Sequence, residues 1–252
     1  MTLQYYNQNN YGHVPYPSPT LPSATVKSGG CGVCCGAMIV SSMTDKLVDP
    51  VAMAAYSIAK GARVAGGTDM NVLAKAICAD YGLIFSTTND ETALLKHLAA
   101  GGMAVVNVGG NRTGWTGVFS SEGHFIVAAG CNGNTVTIMD PGYYAGKFNL
   151  AGRKGKVTVS GNFCYCDISV LASDTANRNP AYYLFSTVKE VIDMALETWQ
   201  KEGGQEALKE LAAKGLVNNI ENWNSEAELA KSVPAYLFWM LMARLADYKT
   251  KG

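Results

Sequence analysis

The spacing of apolar residues changes twice along this chain. The first 30 residues are punctuated by Pro15, Pro17, Pro19 and Pro22, which fix backbone angles and remove donors. Interleaved Tyr5, Tyr6, Tyr11 and Tyr16 make this stretch read as an extended arm packed onto a larger body. Gly29-Gly30 then opens CGVCCGAMIVSSM, a run of small and apolar residues that predicts a buried helix over 31–43. Asp49-Pro50 is a start signal for a second helix over 50–60. Thr68 or Asp69 can cap a third, with Met70, Leu73, Ile77 and Tyr81 on one face. Near Asn89, ETALLKHLAAG supplies a short fourth.

From residue 103 the period shortens. MAVVNVG, GHFIVAAG, NTVTIMD and KVTVSG are short runs separated by Gly/Asn turns, the signature of an antiparallel sheet rather than of regular βαβ units. FCYCDISVL, at 163–171, reads as a closing strand. Helices followed by such a sheet predict an α+β domain over 1–172. The polar stretch SDTANRNP, 173–180, reads as a linker, and 181–252 as a small helical module. There Val188, Ile192, Ala195, Leu196 and Trp199 form one apolar stripe, Leu208, Leu211 and Ala212 begin another, and Asn224 or Ser225 can cap a last helix.

Composition narrows the function classes. The 252 residues are 48% hydrophobic and carry 20 basic and 20 acidic side chains, so no basic surplus suits a nucleic-acid partner. The most apolar segment, VPAYLFWMLMARLA, is too short to span a bilayer and contains Arg244, which argues against membrane insertion. The first residues lack a basic region followed by an apolar run, so they do not read as a secretory signal. Seven scattered cysteines suit a reduced compartment.

One cysteine stands out. Cys31 follows SGG at a predicted helix start, where unpaired N–H groups and the helix dipole stabilise a thiolate, the reactive form. His124 begins one predicted strand and Asp140 ends the next. A hairpin centred on Asn132 would set them nearly opposite one another on one face. An Asp facing an imidazole fixes its tautomer while the other nitrogen activates a thiol. The three residues suggest Cys31 as nucleophile, His124 as general base and then acid, and Asp140 as the orienting group. Gln4 and Gln8 are both amide candidates for an oxyanion donor.

The ordered set YYNQNNYG, SGGCGVCCGAM, GHFIVAAG and TVTIMDP resembles the C39-like peptidase family within the papain-like cysteine peptidases. The resemblance covers residues 3–170 and implies a papain-like domain, with Gln8 in the oxyanion site beside Cys31, His124 and Asp140. Val33 and Cys34 stand where that family has Pro and Thr/Ser, which leaves room for a Cys31–Cys34 pair. With a compact helical tail, the chain is more similar to phage or prophage endolysins than to exporter-linked leader peptidases. That implies a bacterial cell-wall peptide or peptidoglycan as substrate, no cofactor, and production in host cytoplasm followed by action on the wall after release. Trp115 suits either a cleft wall or packing on the sheet. Trp199, Trp223, Phe238 and Trp239 suit self-association through the C-terminal helices or wall targeting.

Three other readings fit the residues less well. Cys31-x-x-Cys34 with Cys164-x-Cys166 could supply four thiolates to zinc, although the second spacing is tight. Cys31 and Cys34 permit thiol–disulfide chemistry, without the preceding strand that redox domains place there. A noncatalytic interaction protein would function without Cys31.

Overall fold

The computed structural model describes residues 2–187 together with 205, 206, 209, 210 and 212–214. The chain divides into two compact units, 1–188 and 189–252. In the second, Gln205, Glu206, Lys209, Glu210, Ala212 and Ala213 are helical. The expected stripes from Val188 to Trp199 and the residues Trp223, Phe238 and Trp239 lie outside the described residues.

The first unit is α+β. After a 3₁₀ turn at Gln8–Tyr11 come α1 (Val26–Gly29), α2 (Cys31–Met43) and α3 (Pro50–Ala59). A two-stranded ribbon, β1 (Arg63–Val64) with β2 (Gly67–Thr68), leads into α4 (Met70–Tyr81), β3 (Leu83–Thr88), α5 (Glu91–Ala99) and β4 (Met103–Val108). The chain continues through β5 (His124–Asn132), β6 (Thr135–Met139), β7 (Thr158–Ser160), β8 (Phe163–Asp167), α6 (Ile168–Thr175) and β9 (Tyr182–Thr187). Seven strands form one antiparallel sheet in the order β3-β9-β4-β5-β6-β8-β7.

Both faces of that sheet are covered. Along β4, Met103 and Val105 join the core beneath α2, α3 and α4, while Ala104 and Val106 join a second core with Leu94 and Leu98 of α5 and Leu171 of α6. The period-two alternation thus feeds two apolar layers instead of one apolar and one solvated layer. Helix starts are set locally: Asp49 Oδ1 accepts from Ala52 N, and Asp69 and Asp90 cap α4 and α5 in the same manner.

Helix α2 is the buried centre of the first core; only Cys31 and Ser41 keep partial exposure. Its small residues allow this, since a Cβ on Gly36 would already touch Ile77, Leu73 and Met53. The arm packs as its tyrosines suggest. Tyr16 is fully buried, its hydroxyl 2.8 Å from both Ser57 Oγ and Thr68 Oγ1, with the Arg63 guanidinium over its ring.

Two expectations need correction. The strand read over 163–171 stops at Asp167, whose side chain accepts from Ser169 N and starts α6. Residues 173–180 are therefore not a free linker, and the helical module does not begin at 181, because β9 is inserted between β3 and β4 in the sheet. Its four leading residues are buried, Tyr182 and Leu184 on one face and Tyr183 and Phe185 on the other. A strand buried on both sides loses its alternation and cannot be told from a buried helix by periodicity.

Candidate active site

Cys31 is the first residue of α2, where backbone N–H groups have no partner within the helix. Gly30 precedes it without a side-chain cap, and a Cβ there would lie 2.5 Å from Val26 O. Only glycine lets α1 run this closely into α2. The backbone N–H groups of Phe125 and Gly32 and the imidazole of His124, at the start of β5, lie close enough to the Cys31 sulfur to stabilise its negative charge.

The hairpin brings His124 and Asp140 together by a route that differs from the expected one. Its turn is Gly133-Asn134, so Asn132 pairs with Thr135 and the centre is displaced from Asn132. Extended unchanged, that register would put His124 and Asp140 on opposite faces. A bulge between Ala128 and Gly130 resets the pairing to Ala128 with Ile138 and Val127 with Met139. Asp140 then falls on the same face as His124, diagonally across the ladder, and His124 Nε2 lies 2.9 Å from Asp140 Oδ1. With Nε2 committed, Nδ1 is left for Cys31.

Asp140 is fully buried and saturated with donors. Oδ1 also accepts from Gly142 N at 2.8 Å, and Oδ2 accepts from Lys147 Nζ at 2.6 Å. Lys147 is itself buried and donates to Gly142 O at 3.2 Å. The arm clamps the same loop: Tyr5 OH donates to Asp140 O, Gln8 N to Pro141 O, and Asn7 Nδ2 to Tyr143 O, all at 2.8 Å. Sequence reasoning finds neither Lys147 nor this clamp.

Electrostatics favour an ion pair. Burial pushes the Cys31 thiol up, yet the hydrogen bond and charge of His124, with the N–H groups of Phe125 and Gly32, outweigh it and hold the pKa below the ordinary thiol value. Burial disfavours the imidazolium as well, but Asp140 and the Cys31 thiolate raise His124 to about 9. Asp140 is held below the usual carboxylate range by His124 and Lys147 against its own burial. Activity should therefore appear as Cys31 ionises and fall as His124 loses its proton near pH 9, measured as kcat/KM against pH. An alkaline limb near the ordinary imidazole value of about 6.5 would rule the ion pair out.

No known family model matches the chain, and no curated protein matches it.

A cavity of about 430 Å³ opens beside His124, and Gln8 lines it. Gln8 Nε2 donates to Lys27 O at 2.9 Å, which leaves its second N–H uncommitted, while Oε1 is buried without a partner. Gln4 instead donates its backbone N–H to Ser42 Oγ near the far end of α2. The other thiols stand apart. Cys31 and Cys34 are both free, and burial pushes the Cys34 thiol up. Cys164 and Cys166 belong to the second core, and among the described residues no three His, Cys, Asp or Glu side chains are grouped to hold a metal ion. Trp115 packs against the second core and donates from Nε1 to buried Asp174 at 2.7 Å. Among the described residues no helix is long and apolar enough to cross a membrane.

A Cβ on Gly142 would sit 3.0 Å from both Cε1 and Nε2 of His124. The ring cannot retreat without stretching its bond to Asp140. Gly142→Ala is expected to lower kcat/KM by about 10-fold or more through misplacement of the imidazole, with little change in melting temperature. An unchanged rate would show that the ring is not held by this contact.

Proposed function

We propose that the protein is a cysteine peptidase or amidase of papain-like type that cleaves peptide or amide bonds in bacterial peptidoglycan, in the manner of an endolysin. The observation that carries the chemistry is the 2.9 Å bond between His124 Nε2 and fully buried Asp140, with the remaining ring nitrogen left for a partly buried cysteine at a helix start. The cell wall as substrate rests on the resemblance of YYNQNNYG, SGGCGVCCGAM, GHFIVAAG and TVTIMDP to the C39-like family.

On this reading the Cys31 thiolate attacks the carbonyl carbon. The negative charge on the carbonyl oxygen is met by the uncommitted Nε2–H of Gln8 and the backbone N–H of Cys31. The tetrahedral intermediate collapses as His124 gives its Nδ1 proton to the departing amine, leaving a thioester on Cys31. Water then loses a proton to His124 and attacks the thioester; its collapse releases the acid and restores the thiolate–imidazolium pair. Asp140 stays ionised throughout and stabilises the imidazolium.

The test is mass-resolved product formation from purified peptidoglycan, comparing wild type with folded Cys31→Ala. New amine and carboxyl termini released by wild type alone support the reading and identify the bond. No product from either protein removes these walls as substrates, and equal cleavage by both removes Cys31 as nucleophile.

A further inference from the structure

The cavity beside His124 contains one cation that the proposed chemistry does not use. Arg153 lines it, is 7% exposed, and makes no side-chain hydrogen bond or ion pair with any described residue. Its guanidinium nitrogens are not among the buried polar atoms left without a partner, so they keep contact with solvent, and an anion that offers two parallel charge-assisted bonds can replace that water. The other cation on the wall is spent, since Lys147 Nζ is 2.6 Å from Asp140 Oδ2. His124 is balanced by the Cys31 thiolate. The cavity therefore carries one surplus positive charge.

We infer that Arg153 is the anchor of a carboxylate-binding subsite on the leaving-amine side of the scissile bond. Placement follows from His124: it lines the cavity and Cys31 does not, and the group that protonates the amine stands on the side from which that amine departs. One uncompensated charge suits a monoanion, and the planar guanidinium fork matches a carboxylate in two parallel hydrogen bonds. Phe119 and Leu150 supply apolar wall for the aliphatic stem that carries the carboxylate, and Ser120 and Ser121 supply hydroxyls. The volume, about 430 Å³, lies within the range of small-ligand sites. The favoured substrate is thus a peptide whose amine-side segment bears a free carboxylate, as side chain or chain end. Its placement on the leaving side rests on the proposed hydrolase chemistry of Cys31 and His124; the anion site does not.

Two measurements separate them. Muropeptides with free stem-peptide carboxylates are compared with the same compounds converted to carboxamides. Wild type is expected to prefer the carboxylates by about 10- to 100-fold in kcat/KM, the scale of a charge-assisted bidentate contact. Arg153→Gln should bring that ratio close to one and Arg153→Lys should fall between. Separately, acetate is titrated into wild-type protein while the Arg153 Nε–H resonance is followed by NMR, with Arg153→Gln to assign the signal. A saturable shift together with the carboxylate preference supports the subsite. A saturable shift with no hydrolysis of any muropeptide keeps the anion site and removes the cell-wall reading. Hydrolysis at equal rates for both forms, with no shift, overturns the subsite and leaves the hydrolase standing.

Discussion

Cys31→Ala is expected to abolish hydrolysis, lowering the rate by about 10⁴-fold or more, while the protein stays folded. Cys31 is the thiol paired with His124, and burial raises the six other thiols, so none of them can take its place. The substitution deletes a single partly buried sulfur from the end of α2 and leaves the rest of its buried face intact. The same site should announce itself chemically. Burial raises Cys34, Cys35 and Cys131, and takes Cys78 to about 11 and Cys164 and Cys166 to about 12, whereas Cys31 is lowered. At neutral pH a limiting amount of iodoacetamide should then add one carboxamidomethyl group, on Cys31, and activity should fall in step with that adduct by peptide mass mapping. Label spread over several thiols, or activity surviving a fully labelled Cys31, would falsify the thiolate assignment. Cys34→Ser should cost little activity, because Cys34 is a free, buried thiol whose proton is held tightly.

What the sequence makes legible here is local, and what it hides depends on distant packing. The starts of α3 and α4 are read from Asp49-Pro50 and Asp69 because each cap is satisfied within three residues of itself. Cys31 is legible through the glycines that precede it. His124 and Asp140 are legible as a pair, but the expected register lacked the bulge that places them on one face, and its mark in GHFIVAAG is a single glycine, Gly130, which also reads as the start of the turn. β9 is hidden because its run of tyrosine, leucine and phenylalanine is buried on both faces. Lys147 is hidden for a different reason. A lysine in a Gly-rich loop usually meets solvent, and only the 3₁₀ turn at Lys147–Asn149 carries it back to Asp140. Arg153 lies beyond that turn, and its burial is likewise a product of the folded loop.

Asp140→Asn should be as damaging to activity as loss of the base, by about 10³- to 10⁴-fold, and should also destabilise the fold by about 3–5 kcal/mol. Three donors converge on this carboxylate: His124 Nε2–H, Gly142 N–H and the Lys147 ammonium. A carboxylate satisfies all three, whereas an amide must turn its NH₂ toward at least one of them and removes the charge that offsets buried Lys147. Acid unfolding carries the same signature. The folded pKa of Asp140 is depressed, so its stabilising contribution is complete above the unfolded carboxylate value of about 3.9 and lost as pH falls through the lower folded value. The Asn variant should lose that part of the acid dependence. Adding Lys147→Met removes the stranded ammonium, and the double variant should regain about 2 kcal/mol or more in denaturant unfolding without regaining activity. That split assigns the carboxylate two separable duties, orienting His124 and neutralising Lys147. If Asp140→Asn unfolds at the wild-type denaturant midpoint, Lys147 does not depend on Asp140 and the second duty is lost. If the double variant recovers activity along with stability, the first is lost and His124 needs no buried anion behind it.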